Sequence, residues 1–142
     1  TVDRAFEIMG LEPRKCPTRK MAIHGYRPNP DLSNHMYVYG SDEELIRALI
    51  AERPELGEPL SPKFGYTAAE VVWAVREEMA LTLDDVLARR VRMLFVDARE
   101  AKRVARRVAE LMAEELGRDE QWIDTQVSEF EALADRYVYQ PK

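Results

Sequence analysis

The sequence predicts an all-α domain: a compact helical bundle of about five to six helices, preceded by an irregular, proline-rich N-terminal arm. Three observations lead there. Apolar residues recur at helical spacing in the periodic stretches, and none alternates convincingly as a strand would. Helix starts are marked by a hydroxyl or acidic residue with an acid three positions on, as at Ser41/Glu44, Thr67/Glu70, Thr82/Asp85 and Asp97/Glu100. Four of the eight prolines, Pro13, Pro17, Pro28 and Pro30, fall before Asp31, where periodicity is weak.

Composition limits the function classes. A chain of 142 residues, 46% hydrophobic and 33% charged, makes one soluble globular domain with a modest core. The net charge of −5 argues against a general affinity for nucleic acid. One cysteine, Cys16, excludes an internal disulfide and fits a reducing cytoplasm, and without a second cysteine or a histidine cluster there is no zinc signature. No apolar run approaches the roughly 20 residues that span a bilayer, and the N-terminus lacks the order of a signal peptide.

In chain order, residues 1–9 read as a short helix with Val2, Ala5, Phe6 and Met9 on one side, without a capping residue or an initiating methionine, as at a cut end. Gly10 stops it, and the stretch to Asp31 reads as a linker or extended surface segment. Within it Met21, Ala22 and Ile23 form a brief strand or lie over the core, and Cys16 reads as inert. A short helix is expected over Asp31–Val38, with Leu32 and Met36 inward and Gly40 as its left-handed stop. The Ser41/Glu44 box then starts a helix with Leu45, Ile46, Leu49 and Ile50 on one face, ending before Pro54. Residues 54–65, with three prolines and two glycines, read as a loop. His24 and His35 read as structural or exposed.

The best-signalled part is the stretch from Tyr66 to Asp97. Thr67/Glu70 predicts a helix from about Ala68 to Met79, and Thr82/Asp85 a second one to about Phe95, folded back through a short link. With each residue 100° after the last, Glu78 falls in the first apolar stripe and Arg90 in the second, between Val86 and Leu87. A lone buried charge is costly, so a buried Glu78–Arg90 pair is expected; the alternative is that either side chain snorkels and stays half wet. Arg89, four residues after Asp85, reads as half of an exposed helix pair. Asp97/Glu100 starts a long helix whose stripe runs through Ala101, Val104, Ala105, Val108, Leu111, Met112 and Leu116 to Gly117. Its other face holds Arg103, Arg106 and Arg107 with Glu110 and Glu114, read as solvated, with Arg106–Glu110 an i,i+4 pair. Asp119 caps the last helix, in which Trp122, Ile123, Val127, Phe130, Leu133, Ala134 and Tyr137 keep the spacing.

No reaction centre can be read. There is no glycine-rich phosphate loop, no paired histidines and no G-x-S-x-G elbow. The best cluster is Glu70, Glu78, Asp85, Arg89, Arg90 and Arg92, which reads as helix caps and structural ion pairs rather than an anion site. No catalytic, cofactor-binding or metal-binding residue is assigned.

The segment Ala69-Glu70-Val71, then Glu78-Met79-Ala80, Thr82, Asp85 and Arg89-Arg90-x-Arg92, with Tyr39-Gly40 before it and Leu111-Met112 and Glu115-Leu116 after it, resembles the C-terminal helical domain of FAD-dependent glycerol-3-phosphate dehydrogenases. The resemblance covers roughly Leu32 to Tyr139. It implies an enzyme oxidising sn-glycerol 3-phosphate to dihydroxyacetone phosphate, with hydride going to FAD and electrons to a quinone at the membrane, or to oxygen in oxidase relatives. It also implies a flavin and substrate domain before this one, which would be the chief partner; a homodimer is a further one. Residues 1–30 would then be a helix stub of the flavin domain plus linker, and 31–142 the helical domain. Lacking a G-x-G-x-x-G turn, this chain is expected to bind no FAD itself and to be inactive alone. The enzyme would be cytoplasmic, or peripheral on the inner face of the membrane. The alternative is a freestanding helical interaction or anion-binding module.

Overall fold

The computed structural model describes residues 2–12 and 15–139. Pro13 and the start of the first helix at Thr1 lie outside them. Helix α1 spans Val2–Ile8, a 3₁₀ turn Pro17–Lys20, and a 3₁₀ segment His35–Asp42 leads into α2, Glu43–Glu52. A turn at Pro54–Gly57 precedes strands β1, Pro59–Ser61, and β2, Phe64–Thr67, which pair antiparallel. Then come α3, Ala68–Arg76; a π-helical segment, Asp85–Arg90; α4, Met93–Val96; α5, Ala98–Leu116; α6, Glu120–Ala134; and a last 3₁₀ turn, Asp135–Tyr137.

The mostly helical architecture is as expected, and α5 is its axis, packed on α3, α4, α6 and β1. Its stripe is buried from Ala98 to Ala113, and five alanines, Ala98, Ala101, Ala105, Ala109 and Ala113, let neighbouring backbones come close. Val71, Val72, Leu83, Val86, Leu87, Met93 and Leu94 fill the other side of the core. Each such side chain contributes roughly 1.5–3 kcal/mol when taken out of water. Asp97 accepts from Glu100 N at 3.0 Å and Asp119 from Trp122 N at 3.0 Å, so both caps form as expected, and Gly117 (φ 63) closes α5.

Several elements differ from expectation. The stretch read as a loop over residues 54–65 holds β1 and the start of β2, a hairpin too short to show alternation, with Pro59 at a strand start where its missing N–H costs little. Helix α3 stops at Arg76, not Met79: Met79 turns left-handed (φ 55) and outward at 82% exposure, while Ala80 N returns to Ala74 O at 2.9 Å. The second helix does not run on to Phe95. Val91 N bonds Val86 O at 3.0 Å, one residue beyond α spacing, Arg92 turns left-handed (φ 54), and α4 restarts. In a straight α-helix Arg90 would point between Val86 and Leu87 into the core. The π-turn advances fewer degrees per residue and turns the guanidinium toward the edge.

Upstream, the expected helix over Asp31–Val38 is the later 3₁₀ segment His35–Asp42; Met36 is buried but Leu32 is exposed. Gly40 is not an ordinary helix stop. At φ 57 and ψ −122 it lets Ser41 N reach Gly25 O at 3.2 Å, and a Cβ there would lie 1.7 Å from that oxygen. The Ser41/Glu44 box does not form: α2 begins after Asp42, and Glu43 instead receives Arg27, Arg47 and Asn34. Leu45, on the predicted face, is exposed. Met21 and Ile23 are neither strand nor core cover but exposed, and α1 buries none of its residues. Arg106 passes over Glu110 and bridges to Glu120, at 2.8 Å, and Asp124 on α6.

Candidate functional site

The expected cluster of six residues separates into three places around the start of α3 and the π-segment. The first is Glu70. As N3 of α3 it closes the capping box, its Oε2 accepting from Thr67 N at 2.7 Å and from Thr67 Oγ1 at 3.2 Å. It does more than cap. The 3₁₀ segment delivers His35 Nε2 to 3.0 Å from Oε2, and the Tyr39 hydroxyl donates to Oε1 at 3.2 Å. A carboxylate only 1% exposed is thus met on every side by donors, which is what its desolvation requires. Burial, and next the Glu70 charge, push the Tyr39 hydroxyl far above the ordinary tyrosine range, so it stays a proton donor. Tyr66 packs edge-on to His35, centroids 5.1 Å apart; burial and Glu70 raise it too, against an opposing pull from Arg92.

The second place is a cleft of about 200 Å³ lined by Val38, Tyr39, Glu78, Arg89 and Arg90. Arg90 Nε donates to Glu78 Oε2 at 3.2 Å and its Nη2 to the Glu78 carbonyl. The side chains are 25% and 30% exposed, so the pair is half wet rather than buried. The half-wet alternative is the arrangement seen, because α3 ends before Glu78 and the π-turn rotates Arg90.

The third place is Asp85. Burial disfavours its ionisation, but hydrogen bonds from Leu81 N–H, the Thr82 hydroxyl and Thr82 N–H outweigh that and hold its carboxyl below the usual range. It also pairs with Arg89 at 2.8 Å, and Arg89 reaches Asp84 at 2.7 Å. Arg92 is exposed and in no ion pair among the described residues.

Chemically these are acceptor and donor sets closed on themselves. Glu70 is buried among its own donors, Arg89 and Arg90 are matched by acids, and no group of three metal-ligating side chains occurs among the described residues. Sequence reasoning missed His35 and Tyr39, which lie 35 and 31 residues from Glu70 with no spacing signal to join them. It also missed Ser61 donating to Glu100, a buried acid paired with Arg103.

Comparison with known proteins adds context. Residues 7–123 match the family described as the C-terminal domain of alpha-glycerophosphate oxidase. A probable mitochondrial glycerol-3-phosphate dehydrogenase of Caenorhabditis elegans is 32% identical over 138 residues, which is 82% of this chain and 19% of that protein. A glycerol-3-phosphate dehydrogenase of Mycobacterium leprae is 34% identical over 116 residues, again 82% of this chain and 19% of the relative. The mitochondrial enzyme of Mesocricetus auratus is 28% identical over 139 residues. The chain thus spans about a fifth of the length of these relatives. No solved structure matches.

Proposed function

This chain belongs to the family of C-terminal domains of alpha-glycerophosphate oxidase, and from that we propose that it is the helical domain of a flavoenzyme oxidising sn-glycerol 3-phosphate to dihydroxyacetone phosphate. The observation that carries this reading is the family match over residues 7–123, from α1 into the first turn of α6. FAD would take the hydride and pass the electrons to a quinone or to oxygen. The residues of this chain do not fit an FAD site: the sheet among the described residues is one antiparallel hairpin, with no parallel strand running into a glycine-rich helix start to cradle a pyrophosphate. The flavin and the substrate would therefore be held by the preceding domain.

The role of this domain is packing and docking. Supporting that, Val2, Ile8, Met9 and Leu11 are exposed on a helix and arm that bury nothing of their own, as expected of an element whose partner is the flavin domain. Residues 1–30 would be that domain's last helix and a linker, and 31–142 the helical unit. No described helix is long and apolar enough to cross a membrane. The self-paired arginines of the cleft do not favour an anion-binding module.

The test is direct. The purified chain mixed with FAD, glycerol 3-phosphate and a redox dye is expected to leave the dye oxidised, whereas the full-length polypeptide reduces it. Turnover by the chain alone, or none by the full-length protein with this substrate, would overturn the reading.

A further inference from the structure

Two non-glycine residues of the helical body take left-handed φ, Met79 at 55 and Arg92 at 54, and they bracket one segment. That segment is cinched at its neck, where Arg90 reaches back to the Glu78 carbonyl and carboxylate. Inside it, the fully buried Ala80, the Asp85 carboxylate on Leu81 N and Thr82 N, and the π-turn hold the backbone in place. Side chains avoid the left-handed region, and glycine would satisfy both turns without strain. Such outliers persist where the surrounding structure over-determines them, and they cluster at working surfaces. A π-turn in a helix has the same tendency.

What the strain achieves is presentation. Met79 stands out at 82% exposure and Leu81 at 59%, with Arg89 and Arg92, the latter in no ion pair among the described residues, on the same segment and Val38 exposed across the cleft. Among the described residues Met79, Leu81 and Arg92 make no side-chain hydrogen bond or ion pair, whereas Arg89 is already held by Asp84 and Asp85. Methionine and arginine with little lysine is the composition of an interface core. Some four-fifths of the length of the relatives lies outside the region this chain matches, so ample partner surface accompanies the domain in one polypeptide.

We propose that the strained segment from Met79 to Arg92 is the docking element by which this domain grips the preceding domain of the same polypeptide, Met79 and Leu81 entering an apolar recess and Arg92 meeting a carboxylate. This rests on reading the chain as one domain of a longer enzyme, and it goes further by naming the face and the chemistry.

The test compares the 142-residue chain with the full-length polypeptide that carries it, using Met79→Gly, Arg92→Gly and Arg92→Glu. In the chain alone the two glycine variants are expected to raise Tm by a few degrees, since they release left-handed strain, and Arg92→Glu to leave it nearly unchanged. In the full-length protein, limited proteolysis within the exposed arm is slow in the wild type and at least tenfold faster in all three variants. If the wild-type arm is protected and the variants are equally protected, this docking face is overturned while the domain assignment stands. If the wild-type arm is cut as fast in the full-length protein as in the chain alone, the domain does not dock, and both readings fall. Loss of protection together with unchanged or raised Tm of the chain alone supports the proposal, because a variant that had merely unfolded would show a lowered Tm.

Discussion

Replacing Glu70 probes the node that ties the 3₁₀ segment His35–Asp42 to the helical body. In Glu70→Ala the Thr67 N–H loses its capping acceptor, worth about 1 kcal/mol. The Tyr39 hydroxyl, in a largely dry site, loses its partner at a further cost of about 1–2 kcal/mol. His35, about a third exposed, rehydrates and adds little, while the emptied volume adds roughly another 1 kcal/mol. The total is about 3–4 kcal/mol, a fall in Tm of roughly 10 °C for a domain of this size. Glu70→Gln fills the same volume and can keep its carbonyl on Thr67 N–H with the NH₂ toward the His35 ring nitrogen and the Tyr39 hydroxyl, which can turn to accept, but it gives up the charge-assisted bonds; about 1–2 kcal/mol is expected. Urea unfolding of the three proteins measures the differences, and hydrogen exchange locates them: the amides of His35–Asp42 should lose protection before those of α5. A cost below about 1 kcal/mol for alanine, or a glutamine variant no better than alanine, would refute a donor-saturated, load-sharing carboxylate.

Two more perturbations follow from the same geometry. Arg90→Met keeps most of the apolar stem, so it should cost about 1 kcal/mol in urea unfolding, and Arg90→Ala about 2 kcal/mol; because Glu78 is half wet, neither should reach the 3–5 kcal/mol of breaking a buried pair, and a loss that large would mean water does not reach Glu78. Glu100, held by Arg103 and then by Ser61, has its carboxyl lowered from 4.5 to about 2. A depressed acid contributes stability above its unfolded-state value and loses it as pH falls through its folded one, so stability should drop between about 4.5 and about 2. Glu100→Gln should flatten that limb of a urea-midpoint-against-pH profile, and an unchanged slope would assign the acid transition to other carboxylates.

Local chemistry was legible and remote chemistry was not. The capping pairs Thr67/Glu70, Thr82/Asp85, Asp97/Glu100 and the Asp119 cap all span three residues, the reach of one helical turn, and each forms. Ser41/Glu44 has the same spelling and fails, because Arg27, Arg47 and Asn34 draw Glu43 into another arrangement and the helix starts one residue late. Arg106 likewise had a partner at helical spacing in Glu110 but found closer acids on α6 once the two helices packed. The hairpin was missed because three-residue strands leave no period to detect.

By itself the sequence determined a mostly helical domain, its main helices, the buried stripe of α5 and the family to which the central motif belongs, since helical period and cap spacing are properties of neighbouring residues. Only the tertiary structure decided that Glu70 is the hub for His35 and Tyr39, and that a π-turn resolves the charge at Arg90 by turning it outward. It also decided that Met79 and Arg92 are held in strain at the surface. Those outcomes depend on which groups the packed chain brings within hydrogen-bond range across tens of residues, a distance over which neither period nor capping carries information.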